Sequence, residues 1–96
     1  MLEQMQYVTR AQESTRLNDV YGQVETLLRT TCALEGIAIR KDRPLIEYGI
    51  DSVRAVDVIV ELEQTFGIEI HDETAYRLRT LNDVVVYVQS QVANRF

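Results

Sequence analysis

The chain has 96 residues, a formal net charge of −5 at pH 7 and a single cysteine, Cys32. This length predicts one domain, which buries roughly 60 to 65% of the surface of its unfolded chain and needs no covalent staple. A lone cysteine excludes an intramolecular disulfide and a cysteine-based metal site. No apolar run approaches the ~18 residues of a membrane span, and the N-terminus interleaves polar residues where a signal peptide is apolar, so we expect a cytoplasmic protein without a membrane partner.

The acidic residues are concentrated in one segment. Residues 47–73 contain eight acids against Arg54 alone and net −7, whereas residues 1–46 net zero and residues 74–96 net +2. No basic patch is visible in the sequence, which argues against a nucleic-acid partner. The focused negative charge indicates either steering toward a basic partner or a well-solvated helix face.

The first predicted helix runs from about Asn18, a plausible N-cap, to Glu35, with Gly36 favouring a stop. One face is apolar at the 3.6-residue period: Val24, Leu27, Leu28, Thr31 and Leu34. Residues 1–16 either extend this helix or form a tail, and residues 17–96 form the domain.

The connection from Gly36 to Asp51 is long and contains Pro44 and Gly49. Loops beyond about 12 residues are uncommon in compact domains unless they are functional or mobile. Four apolar residues predict an ordered wrap anchored in the core: Ile37, Ile39, Leu45 and Ile46.

The second predicted helix begins at Asp51 or Ser52 and ends at Phe66, with Gly67 as its stop. Its core-facing residues are Val58, Leu62 and Phe66, with Ala55 and Ile59 beside them. A second apolar stripe consists of Val53, Val56 and Val60. That stripe either packs under the loop or forms a partly exposed contact surface among Asp57, Glu61 and Glu63.

One short helical segment is predicted near Asp72 to Leu78, followed by a last helix. Thr80 as N-cap and Asp83 three residues later form a capping-box pattern. The apolar face of this helix comprises Leu81, Val84, Val85, Val88 and Val92. Tyr87 is expected to pack against the first helix with its hydroxyl outward. The predicted fold is all-α, with three long helices and one short one.

Catalytic residues are not predicted. His71 is the only histidine, and no spacing recommends a Ser52–His71 pair, so His71 is expected on the surface before the short helix. Glu61 and Glu63 are two residues apart on a helix and point to different faces, which does not make an acid/base pair. No metal site is predicted.

Ser52 lies at the N-terminus of the second predicted helix. There its hydroxyl lies near unpaired backbone amides and the positive end of the helix dipole, which suit an attached phosphate. Asp51 could bind a metal or a basic residue of an incoming enzyme. Local physics alone nevertheless favours Ser52 as a simple N-cap.

Residues 49–88 read GIDSVRAVDVIVELEQTFGIEIHDETAYRLRTLNDVVVYV. The series includes Gly-x-Asp-Ser ending at Ser52, Leu-Glu-x-x-Phe-Gly-Ile-x-Ile over 62–70, Asp-Glu at 72–73, Ala75, and the Thr-Leu that opens the last helix. In this order and spacing it resembles the carrier-protein family, the acyl, peptidyl and aryl carriers that hold intermediates on a phosphopantetheine arm. The match covers most of the chain, from about Val24 to Val88.

The resemblance implies a right-handed bundle of three long helices and one short helix, with no catalytic power. Ser52 would receive 4'-phosphopantetheine from coenzyme A through a magnesium-dependent phosphopantetheinyl transferase, and Asp51 would help bind that enzyme. Further partners would be acyl-loading, condensing or transferring enzymes. The carrier itself would be a monomer. The implied partner-binding residues are Val53, Arg54, Val56, Asp57, Val60, Glu61 and Glu63.

Three departures separate the chain from bacterial fatty-acid carriers. Val53 follows the serine where Leu is frequent, Arg54 stands where those carriers usually have an acid, and Tyr48 replaces a common Leu. LIEYGIDSVR resembles aryl carrier domains of siderophore synthases. We therefore expect a carrier for polyketide, nonribosomal-peptide or related biosynthesis, either freestanding or excised from a larger synthase. The alternatives are an acidic helical interaction module without a prosthetic group and, more remotely, a hydrolase that depends on His71.

Overall fold

A computed structural model describes residues 19–94 of the chain. Their helices are α1 (Val20–Cys32), a 3₁₀ helix (Leu45–Tyr48), α2 (Ser52–Phe66), α3 (Asp72–Ala75) and α4 (Leu81–Ala93). These residues form no strand beyond one isolated bridge. The all-α prediction of three long helices and a short one is confirmed, while the prediction for residues 1–16 falls outside the described part of the chain.

The core lies where α1 packs against α2 and α4. The predicted apolar faces of α2 and α4 are confirmed, because Val58, Leu62 and Phe66 are buried. The same holds for Leu81, Val84, Val85, Val88 and Val92. Truncating a fully buried leucine such as Leu62 to alanine costs about 2 to 5 kcal/mol in comparable cores, so this packing is the main source of stability.

Helix α1 begins at Val20, with Asp19 rather than Asn18 at the N-cap position, and ends at Cys32, three residues before the predicted Glu35. Ala33 adopts the left-handed conformation with φ 56°. The Leu34 N–H donates to the Arg29 carbonyl at 2.8 Å, which turns the chain early. The left-handed turn ends the helix with its last carbonyls satisfied, and Leu34 lies buried in the core directly after it.

The 36–51 connection is an ordered wrap, but only two of its predicted anchors are correct. Ile39 and Leu45 are buried, whereas Ile37 and Ile46 are exposed. The 3₁₀ helix turns Leu45 inward and its neighbour Ile46 outward. The Arg29 guanidinium donates to the Ile37 carbonyl at 3.2 Å, which holds that backbone at the surface.

The α4 capping box is confirmed. The Thr80 hydroxyl accepts from the Asp83 N–H at 3.0 Å, and the Asp83 carboxylate accepts from the Thr80 N–H at 3.2 Å. Helix α3 is shorter than predicted and ends at Ala75. The Tyr87 hydroxyl donates to the Glu69 carbonyl at 3.2 Å in an exposed bond, which ties α4 to the α2–α3 connection.

Candidate functional site

A tight turn delivers the chain from the 3₁₀ helix to the start of α2. Gly49 takes the left-handed conformation with φ 86°, and its N–H donates to the Ile46 carbonyl at 3.0 Å. Ile50 then enters the core. A Cβ at position 49 would meet no atom within 4 Å, so the need for glycine lies in the backbone conformation and not in crowding.

Asp51, and not Ser52, caps α2. Its Oδ1 accepts from the Arg54 N–H at 3.0 Å, and its carbonyl accepts from the Ala55 N–H at 2.8 Å. Ser52 is therefore the first helical residue. The interpretation of Ser52 as a simple cap is wrong, because the Asp51 carboxylate forms the capping bond.

The Ser52 side chain is exposed and makes no hydrogen bond with any residue in the 19–94 range. Amides in the first turn of a helix have no intrahelical acceptor, and the helix dipole places partial positive charge there. A phosphodiester on the Ser52 oxygen would meet open solvent and a favourable field. The residues present therefore fit a bulky phosphate-linked group at this position.

The second apolar stripe of α2 lies at the surface. Val53, Val56 and Val60 are 72%, 61% and 42% exposed, so they do not pack under the loop. Asp57 and Glu61 are exposed beside them. We refer to these five residues as the α2 surface. Its valines and acids follow Ser52 along about 12 Å of helix, at 1.5 Å per residue.

Glu63 is set apart from that surface. Its half-buried carboxylate accepts from the Ile70 N–H at 2.9 Å and fixes the chain after Gly67, where Ile70 enters the core. Periodicity alone could not reveal this bond. Arg54 is exposed and forms no ion pair with the other described residues, so its charge is available at the surface.

The end of α1 approaches the start of α2 at Cys32, which is buried. Burial raises the pKa of the Cys32 thiol; the positive charge of Arg54 opposes this rise, and the negative charges of Asp57 and Asp51 add to it. The thiol is therefore protonated at neutral pH and a poor nucleophile.

His71 occupies the N-cap position of α3, as predicted for a surface residue before the short helix. It is exposed, and its Nε2 lies 3.7 Å from a carboxylate oxygen of Glu69. No hydrogen bond links it to Ser52 within the described range. Residues 19–94 contain no group of three potential metal ligands and no helix long and apolar enough to cross a membrane.

A mainly apolar cavity of about 590 Å³ opens between the 3₁₀ helix, α2 and the α3–α4 connection. Its lining includes the apolar side chains of Ile46, Ala55, Ile59 and Leu78. Arg79 and Asp83 are the charged residues in the lining. Volumes of 300 to 1,000 Å³ are typical of small-molecule sites. The sequence did not reveal this cavity, because its walls come from segments that are far apart along the chain.

A family profile described as "Phosphopantetheine attachment site" matches residues 22–88. The "Acyl carrier protein" of Onion yellows phytoplasma (strain OY-M) is 33% identical over 70 residues, 72% of this chain and 92% of that protein. The "Acyl carrier protein" of Campylobacter hominis is 32% identical over 78 residues, 80% of this chain and 99% of that protein. The "Non-reducing polyketide synthase pkiA" of Emericella nidulans is 30% identical over 88 residues, 92% of this chain but 4% of the synthase.

Proposed function

The chain belongs to the phosphopantetheine-binding acyl carrier protein family, whose prosthetic group is 4'-phosphopantetheine, and we propose that Ser52 is its attachment residue. The observation that carries this proposal is the exposed Ser52 hydroxyl, free of any capping bond, at the first residue of α2. When bound, the group supplies a terminal thiol that holds acyl intermediates as thioesters. Family membership argues against the alternative of an interaction module without a prosthetic group.

The residues around Ser52 present it to a separate phosphopantetheinyl transferase. In that enzyme the Ser52 oxygen would displace 3',5'-ADP from the β-phosphate of coenzyme A and lose its proton to the enzyme. Asp51 holds the first turn of α2 through the Arg54 amide, and its second carboxylate oxygen remains available to the transferase. The chain itself contributes position and charge, in keeping with a non-catalytic carrier.

The α2 surface is proposed as the docking surface for the transferase and for acyl-loading, condensing or transferring enzymes. Its exposed valines offer apolar contact area, and Asp57 and Glu61 offer negative charge for steering a basic partner. Arg54 at its edge would favour partners with a matching acid. Glu63 is left out of this surface, since its carboxylate is already bonded to the Ile70 amide.

The cargo is proposed to be an acyl group with an apolar body. The cavity beside Ala55 is one helical turn from Ser52 and mainly apolar, which suits such a group. Similarity to a fungal polyketide synthase and the departures at Tyr48, Val53 and Arg54 support a specialised pathway, polyketide, nonribosomal-peptide or related.

The attachment test uses the chain, coenzyme A, magnesium and a broad-specificity phosphopantetheinyl transferase, with intact mass as the readout. Wild type should gain the mass of one phosphopantetheine, and Ser52→Ala should gain none. Ser90→Ala is the matched control, because it removes another exposed serine hydroxyl and should be modified normally. An unmodified wild type, or modification of Ser52→Ala, would overturn the proposal.

A further inference from the structure

Two segments that are far apart in sequence lie side by side near the cavity. The Leu45 N–H donates to the Arg79 carbonyl at 2.8 Å, and the Asn82 N–H donates to the Lys41 carbonyl at 2.9 Å. Between these bonds, Pro44 and Thr80 form an antiparallel bridge. Backbone hydrogen bonds therefore fix the segments 40–45 and 77–82 against each other.

These segments collect half of the ten lysines and arginines of the chain. We refer to the five exposed cations Arg40, Lys41, Arg43, Arg77 and Arg79 as the basic ridge. Only two of them have ion-pair partners in the described range, Asp42 at 3.9 Å and Glu47 at 3.5 Å. Both pairs are exposed, and such pairs contribute little. The ridge corrects the sequence-based view that the chain has no basic patch.

Two large side chains with apolar surface border the ridge and are unusually exposed. Ile46 follows Leu45 directly and is 70% exposed, while Tyr76 precedes Arg77 and is 81% exposed. Tyrosine and arginine are enriched at protein interfaces. The combination of fixed cations with adjoining Ile46 and Tyr76 is typical of a contact surface.

We propose that the basic ridge is a second docking surface, which binds an acidic surface on a partner protein. It shares no residue with the α2 surface, and the two surfaces carry opposite charge. A long polyanion such as nucleic acid is disfavoured, because the chain nets −5 and Asp42 and Glu47 lie within the ridge. The same net charge opposes a second copy of the chain.

The test titrates the ¹⁵N-labelled full chain at low salt with a glutamate-rich amphipathic peptide, a single-stranded DNA and inorganic pyrophosphate as separate probes. The peptide should shift amides within 40–46 and 76–82 and should bind more tightly than either phosphate probe. Substituting four ridge arginines together (R40Q, R43Q, R77Q, R79Q) should weaken peptide binding about tenfold, since each exposed charge contributes a fraction of that factor. The control Arg54→Gln removes an exposed cation outside the ridge and should lower the affinity far less than the four-arginine substitution.

Several results would overturn the proposal. Peptide shifts confined to α2, or equal affinity of the four-arginine variant, would remove the ridge as a binding surface. Tighter DNA binding would assign it to nucleic acid, tighter pyrophosphate binding to a phosphate ligand, and a dimer of the free chain lost in the variant would assign it to self-association. The transferase assay keeps this proposal separate from the first, because the ridge variant should be modified at the wild-type rate whether or not the peptide binds.

Discussion

Both α2 and α4 begin with a side chain that caps the first turn, but only α4 has a complete capping box. At α4, Thr80 and Asp83 satisfy each other's amides in a closed box. At α2, Asp51 caps alone, and the Ser52 hydroxyl is exposed and has no hydrogen-bond partner within the described range 19–94. The polar side chains at the start of α4 bond each other, whereas the Ser52 hydroxyl remains without a hydrogen bond among residues 19–94, as its proposed role as attachment residue requires.

The turn before α2 should be the more costly place to disturb. Gly49→Ala puts a Cβ on a residue with φ 86°, which costs about 1 to 2 kcal/mol of unfolding free energy. Urea denaturation measures this loss. Gly22→Ala in the first turn of α1 is the control and should be stabilising by up to about 1 kcal/mol, because the Asp19 oxygen 3.1 Å from the new Cβ belongs to a side chain without a capping bond. Equal effects at both glycines would contradict the backbone argument.

The closed start should depend on its hydroxyl. Thr80→Ala removes the acceptor for the Asp83 N–H and should lower the unfolding free energy by about 1 kcal/mol, within the 0.5 to 2 kcal/mol typical of lost caps. Thermal unfolding checks this, with Thr65→Ala on the exposed side of α2 as the comparison. Modification by the transferase should continue in both variants, and its loss in Thr80→Ala at a temperature where the protein is folded would argue against separate tasks for the two starts.

The open start should not depend on its hydroxyl for stability. Because Asp51 keeps its bond to the Arg54 amide, Ser52→Ala should change the unfolding free energy by less than about 0.5 kcal/mol. The same thermal measurement used for Thr80→Ala gives the answer. A loss as large as that of Thr80→Ala would mean that Ser52 takes part in capping and would erase the difference between the two starts.

The contrast was only partly accessible from sequence. The Thr80 box and the Val58–Leu62–Phe66 core face follow from local spacing, and the structure confirms them. The left-handed Ala33 does not, because it depends on the burial of Leu34 against other helices. Spacing alone left Ser52 as a cap; the decisive fact is that the neighbouring carboxylate takes the bond.

The surroundings of the site could be identified only from the folded structure. The sequence predicts Glu63 as a partner-binding acid, whereas in the structure its carboxylate accepts a bond from the Ile70 amide. The cavity and the basic ridge both arise where the 40–45 segment meets the 77–82 segment through long-range backbone bonds. No window of neighbouring residues contains such a contact, so periodicity and composition cannot predict it.

The smallest effect concerns Cys32, whose thiol lies buried where α1 meets the open start of α2. Its folded pKa is raised above the ordinary 9.0, mainly by burial. Between that value and the raised one, the unfolded chain loses the thiol proton while the folded chain keeps it, so the contribution of Cys32 to stability should fall as pH rises above about 9 and stay constant below. The difference in unfolding free energy between wild type and Cys32→Ala, measured in urea at pH 7 and pH 10, should therefore be smaller at pH 10. A difference that grows with pH would mean that the positive charge of Arg54 outweighs burial at this junction.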